Sequence, residues 1–338
     1  SAPEGRAQLD TGLTVSGNDA RISGVDLNGG LIANGVSDLS LTQGRVGDLQ
    51  LNAVGGRVQL TQMQVSGLQI DGGDADVHFA SGSLERSQAG NLLDVRNMTG
   101  GSLQVDAPVR ATGASGGVFL DASPNTAVHL AGGVDIAIDA GDAFVARQLG
   151  SLSLSGSNSL ASDGGSALRL ESLSVGSAGL ALDSLTSRAA AGYGVQLEDV
   201  AGELNLAEVL IEQAGSDGIR ISGGNGSLQM GAVQVRDSAN VGLNLEDSST
   251  DIVIQRLDIE GGVTAIDLTS ATGQIEIVDG GDITGFSSVG VQFSNTDDTA
   301  RSANAQFRFG GGSIVAGPGG FVLDGIGLDP LSGLYDFT

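Results

Sequence analysis

The sequence predicts an all-β solenoid, a stack of three-strand coils with essentially no α-helix. Two features of the repeat carry that prediction. Gly194, Gly218 and Gly242 recur on a beat of about 24 residues. Behind each glycine comes the same phrase: Val195-Gln196-Leu197, Ile219-Arg220-Ile221, Leu243-Asn244-Leu245, then Ile266-Asp267-Leu268 one residue early. A second phrase follows in register (Leu204-Asn205-Leu206, Leu228-Gln229-Met230, Ile252-Val253-Ile254, Ile275-Glu276-Ile277), and so does a third (Val209-Leu210-Ile211, Val233-Gln234-Val235, Leu257-Asp258-Ile259). Alternation of apolar and polar residues is the signature of a strand with one buried face. The third feature is negative: helical periodicity is nearly absent. Only 206–213 carries a faint helical pattern, and the repeat register reads it as strand.

Composition agrees. A chain of 338 residues would ordinarily suggest two globular domains. A repeat overrides that expectation, because a solenoid grows in one direction without a second core. There are 56 Gly but only 5 Pro and no collagen period, and apolar residues make up 40% of the chain, so it is neither collagenous nor disordered. The net charge is −25, and all 15 basic residues are Arg. Such a surface repels nucleic acid and anionic membranes, favours solubility and attracts cations. The absence of Cys removes disulfides, thiolate metal sites and Cys nucleophiles. No run approaches the ~20 apolar residues of a membrane span. Ser1-Ala2-Pro3 carries no signal-peptide pattern.

Along the chain, residues 1–11 read as a lead-in or N-terminal cap and residues 12–293 as the solenoid. Its first part is tight: Gly12-Leu13-Thr14-Val15, Gly30-Leu31-Ile32, Leu49-Gln50-Leu51 and Leu68-Gln69-Ile70 lie about 18 or 19 residues apart. From about residue 80 the coils lengthen to roughly 24–27 residues, with starts near Leu92, Gly117, Phe144, Leu168, Val195, Ile219, Leu243, Ile266 and Val291. The count is about 13 or 14 coils, which at ~4.8 Å per stacked strand makes a rod roughly 60–65 Å long. In Ile219-Arg220-Ile221 the two Ile point inward and Arg220 outward. Val195/Leu197, Leu243/Leu245, Ile266/Leu268 and Val291/Phe293 fill the same inward slots, each burial worth roughly 1.5–3 kcal/mol. Glycines at the corners are expected to supply positive φ. Residues 294–338 break the rhythm with a polar insertion, 295–304, and a tail that includes Phe321, Tyr335 and Phe337. They read as an irregular last coil with a C-terminal cap or an assembly edge.

The phrase G-[IVL]-x-[IL], followed by two further alternating pairs, resembles the parallel β-helix repeat family. The match is close over 168–293 and looser over 92–167. The short coils of 12–79 are similar to those of haemagglutinin-type adhesins and autotransporter passengers. The resemblance implies a right-handed, single-stranded helix of three sheets. It leaves function open, because the family includes polysaccharide lyases, hydrolases, epimerases, phage tailspikes and surface adhesins.

Each of those chemistries asks for particular residues. A lyase or epimerase needs a general base. Lys is absent, which leaves His78, His129, Tyr193 and Tyr335 as neutral candidates. His78 and His129 sit in alternating phrases, Val77-His78-Phe79 and Val128-His129-Leu130, and read as solvated outward side chains. A glycosidase needs two close carboxyls. The outward column of the first sheet is Arg169, Gln196, Arg220, Asn244, Asp267 and Gln292, a mixed polar row. Glu198 and Glu246 flank it two coils apart, roughly 10 Å by stacking distance, with Ser222 between them. Calcium motifs are incomplete: Gly223-Gly224-Asn225-Gly226-Ser227-Leu228 carries Leu where an RTX repeat needs Asp, and the acidic turns at 71–76 and 279–282 complete no EF-hand loop.

The expectation is therefore a non-enzymatic, secreted or cell-surface β-solenoid: the structural or adhesive rod of an adhesin, surface layer or fibre. No catalytic, cofactor or metal residues are assigned, and calcium is held loosely if at all. Its partners would be other copies of itself, end to end or laterally, or a surface glycan, with no nucleic acid and no membrane insertion. The alternatives are a polysaccharide-active enzyme and a trimeric glycan-binding tailspike-like module. Small-angle scattering should report an elongated particle in solution; the scattering profile of a compact sphere would overturn the rod.

Overall fold

The structure is a computed structural model and describes residues 6–114, 116–294, 306–310, 313–314, 321–324 and 334–337. Over these residues the chain is all-β, a parallel β-solenoid with no helix. It divides into two compact units. One comprises Ser1–Asp139, Ala143–Ser159 and Leu173–Leu180, the other Ala140–Asp142, Leu160–Ser172 and Ala181–Thr338.

In the first unit three parallel ladders form. The first joins Leu13, Leu31 and Leu49, then Leu68, Leu93, Val118 and Phe144. The second joins Val58, Val77, Leu103, Val128 and Leu152. The third joins Val65, Leu84, Val109 and Val134. The short strand Ala7–Leu9, inside the expected lead-in, already pairs in parallel with Val25–Leu27.

The second unit repeats the scheme. Val195, Ile219, Leu243, Ile266, Val291 and Phe321 make its first ladder. Leu204, Leu228, Ile252, Ile275 and Phe307 make the second, and Leu185, Val209, Val233 and Leu257 the third. The coil starts expected at Val195, Ile219, Leu243, Ile266 and Val291 fall on these rungs, because only that register turns every apolar pair inward; those expected at Leu92 and Gly117 lie one residue before the rungs at Leu93 and Val118. Residues 206–213 lie almost wholly within the strand Val195–Glu212. Parallel pairing continues past Phe293, with Phe307 beside Tyr335 and Phe309 beside Phe337. The polar stretch 295–304 lies outside the described residues.

The inward slots are closed to solvent. Leu31, Leu49, Leu93, Val195, Leu243 and Ile266 are fully buried. A single coil cannot bury its own inner face, so this packing exists only between coils.

Glycines supply positive φ at many turns, as expected, among them Gly72 at 70° and Gly223 at 59°; other corners do without glycine. Ala53, Asn97, Ala122, Gln148, Asp199, Asp247 and Ser270, each just past the residues paired in the first ladder, have φ between 48° and 57°. Non-glycine residues thus hold a left-handed corner, at roughly 1–2 kcal/mol each. The corner recovers part of this through its backbone N–H, which donates to the next coil: Asp247 to the carbonyl of Thr269 at 2.9 Å, and Asn97 to that of Asp121 at 3.3 Å. The glycines of the 24-residue beat have a steric role instead. A Cβ on Gly218 would lie 2.4 Å from Val235 Cγ1, and one on Gly194 2.5 Å from Ile211 Cγ2. They are glycines because the neighbouring strand leaves no room.

Two substitutions should move stability in opposite directions. Leu243→Ala should cost about 2–5 kcal/mol, as a buried aliphatic lost without collapse of the surrounding rungs. Ala189 is exposed at φ 50°. Ala189→Gly relieves its strain and should be neutral to stabilising, by up to about 1 kcal/mol. Thermal and denaturant melts of both variants provide the check.

Candidate functional site

The outward column of the second unit's first ladder is set by the parallel register. Gln196, Arg220, Asn244, Asp267 and Gln292 are direct neighbours, rung to rung. Two residues further along, Glu198, Ser222, Glu246 and Thr269 form a second column. The expected row of side chains is therefore present, and what it lacks is a free carboxylate pair. Glu246 accepts a 2.6 Å hydrogen bond from Arg220 Nη2, one rung away. Glu198 accepts one from Gln196 Nε2 at 3.2 Å. Arg169 is closed locally by Glu171.

Asp217, which the sequence reading passed over, organises this row. It is 1% exposed. Its Oδ1 accepts from Asn240 Nδ2 at 2.9 Å and from the Val241 N–H at 3.2 Å, and its Oδ2 accepts from Asn244 Nδ2 at 2.9 Å. Arg220 Nη1 lies 3.8 Å away, with its guanidinium 5.4 Å from the Tyr193 ring centroid. A buried carboxylate is tolerable only with partners of this kind. The signal in the sequence is positional: Asp217 stands directly before the beat glycine, where the neighbouring coils have Tyr193 and Val241.

Asp267 is a half-buried acid in the row. Burial pushes its carboxyl above the usual carboxylate range, the hydrogen bond from Thr269 pulls the other way, and the charges of Asp217 and Glu246 push it up further. A half-buried acid with a raised pKa beside an ionised carboxylate is a feature of general-acid sites.

In the first unit the two histidines share one column: Gln59, His78, Gln104, His129 and Ser153 are successive register partners. Both point outward as expected, yet both are half-buried and bonded. His78 Nε2 lies 2.7 Å from Asp106 Oδ2, and His129 Nε2 lies 2.7 Å from Ser155 Oγ. The hydrogen bond from His78 holds Asp106 below the usual carboxylate range. The two contacts are separate pairs and do not join into a relay.

The first ladder of the same unit carries an unexpected aromatic. Phe119 occupies the outward slot next to Asp94, with the guanidinium carbons of Arg96 and Arg147 at 4.6 and 5.2 Å from its ring centroid. Arg96 grips Asp94 through two hydrogen bonds of 2.6 and 2.9 Å. Arg147 donates to Asp121 at 2.7 Å. In the sequence, Val118-Phe119-Leu120 is betrayed only by an apolar residue at a polar position.

The acidic turns are tied down by their neighbours: Asp71 accepts from Asn97, Asp76 from Ser102 and Asp282 from Ser313. Among the described residues no group of three or more His, Asp or Glu side chains is arranged to hold a metal ion, and no helix is long and apolar enough to cross a membrane. Comparison with protein-family models, curated proteins and solved structures finds no match to the chain.

Asp267 gives a signed prediction. Its folded-state pKa lies above its unfolded value, so the folded state binds the proton more tightly. Stability is therefore lost as pH rises from the unfolded value through the folded one. Asp267→Asn should raise the melting temperature at neutral pH and leave it nearly unchanged at about pH 3, where the wild-type group is protonated in both states. An equal gain at both pH values would refute the assignment.

Proposed function

We propose that the chain is a non-enzymatic extracellular β-solenoid, a structural and adhesive element of a cell surface or fibre whose outer face meets other copies or surface glycans. The observation that supports this reading is where the outward polar groups spend their bonding capacity. They bond to the adjacent rung: Asn52 to Asn34, Arg45 to Gln64 and Arg147 to Asp121 in the first unit, Arg188 and Arg236 to Glu212, Arg220 to Glu246 and Arg308 to Glu276 in the second. Each exposed pair is worth little, about 0–1 kcal/mol. Repeated from coil to coil, they tie side chains that chemistry would need free. The strong negative charge suits an exposed, soluble surface and leaves carboxylates for loosely held calcium.

A second reading has one observation in its favour. Asp267, with its raised pKa, lies one rung beyond the Arg220–Glu246 ion pair, which is the chemistry of an acid beside an ionised carboxylate. A polysaccharide-active enzyme would use this pair.

One assay separates the two. The protein is incubated with neutral and uronate polysaccharides, with and without calcium, and reducing ends and unsaturated products are followed. The structural and adhesive reading expects no turnover. Turnover that disappears in Asp267→Asn and Glu246→Gln would establish the enzyme instead.

A further inference from the structure

The first unit contains a polar crevice that the rung-to-rung pairing does not fill. It is a shallow crevice open to solvent, between the column Gln50–Gln69–Asp94 and the side chain of Arg86. It lies where the short coils give way to longer ones. The first long turn, 87–90, is pinned by Arg86, whose Nε donates to the Gln88 carbonyl at 3.1 Å and whose Nη2 donates to that of Ala89 at 2.7 Å. Arg86 Nη1 also donates to Asp48 Oδ1 at 2.6 Å, across two coils. This fixes a wall. The floor is bare backbone at Gly67, where a Cβ would lie 2.4 Å from Arg86 Nη1.

The chemistry of the lining selects a ligand class. Both charges of the wall are neutralised within it, Asp48 by Arg86. On the column side, Asp94 is held by Arg96 and by Asn91 Nδ2 at 3.0 Å. The side-chain amides of Gln50 and Gln69, half-buried on the column, have no hydrogen-bond partner among the described residues. This contrasts with Gln59, Gln64 and Gln104, which bond to neighbouring side chains. An amide donates at one end and accepts at the other, which matches a hydroxyl group. Successive rungs are ~4.8 Å apart, about one pyranose residue, so two free amides in line address successive sugars. The net charge of −25 disfavours polyanions.

We infer that this crevice is a binding site for a neutral hexopyranose glycan, with Gln50 and Gln69 as its hydroxyl-reading residues. The inference rests on the adhesive reading above and specifies its site. Arg86 and Arg96 are positioning residues, the first holding the wall and the second, packed on Phe119, holding Asp94.

The test is titration of the full chain with cellohexaose, mannohexaose, galactohexaose and oligogalacturonate by calorimetry, with retention on intact bacterial and plant cells measured in parallel. Saturable binding of a neutral hexaose is expected, weakened about tenfold or more by Gln50→Ala or Gln69→Ala. Gln229→Ala, in the second unit, serves as control and should bind like wild type, and circular dichroism should show all variants folded. The proposal is overturned by unchanged affinity in the Gln50→Ala/Gln69→Ala double variant, by preference for oligogalacturonate, or by no binding of any neutral hexaose. In that last case, retention on cells leaves the adhesive reading standing, and loss of retention as well removes both.

Discussion

A coil of this chain satisfies its backbone N–H and C=O groups on the coils above and below it. A strand of three or four residues has no partner within its own turn, and buried backbone groups left unpaired are costly. Parallel pairing at fixed register is thus the constraint on which everything else in each unit depends. It places Ile219 against Leu243 and Ile266, and by the same step it places Arg220 against Asn244 and Asp267. The aliphatic interior and the polar outer rows are two consequences of one hydrogen-bond ladder. A slip of one residue would turn the leucines out and the arginines in.

The ladder also explains the unusual backbone. A left-handed corner at Asp199, Asp247 or Ser270 is unfavourable for an isolated residue. Here the neighbouring corner has the same geometry, and stacked corners bond to one another through main-chain groups. Strain at one residue is offset by pairing along a column. The glycines of the beat answer a different demand: three strands close on a narrow interior, and at Gly194 and Gly218 the adjacent Ile211 and Val235 occupy the volume a Cβ would need.

On the outer face the same stacking brings like positions within reach of one another, and the chain uses this to pair them. Arg220 with Glu246, and Arg188 and Arg236 with Glu212, are contacts between adjacent coils at separations of 24–26 residues. Departures from that habit therefore carry meaning. Asp217 is buried with a full set of donors, Asp267 is pushed toward its neutral form, and Gln50 and Gln69 keep their amides free beside a crevice.

The all-β class, the coil starts and the inward residues were legible in the sequence, because alternation and period report directly on which side chains the ladder must bury. Outward direction was legible too: His78, His129 and the row through Arg220 point where alternation sends them. What each outward group meets was not legible, since a partner about 24 residues away on the next coil is set by register and by the length of the intervening turn. The burial of Asp217, the clasp of Arg86 on Asp48 across 38 residues, and the placing of Phe119 against two arginines needed the tertiary structure. So did the non-glycine corners, where stacking holds residues such as Asp199 and Asp247 at positive φ beside the glycines that were expected there. Local pattern determines the buried face of a repeat; the contacts between coils decide the chemistry of the exposed one.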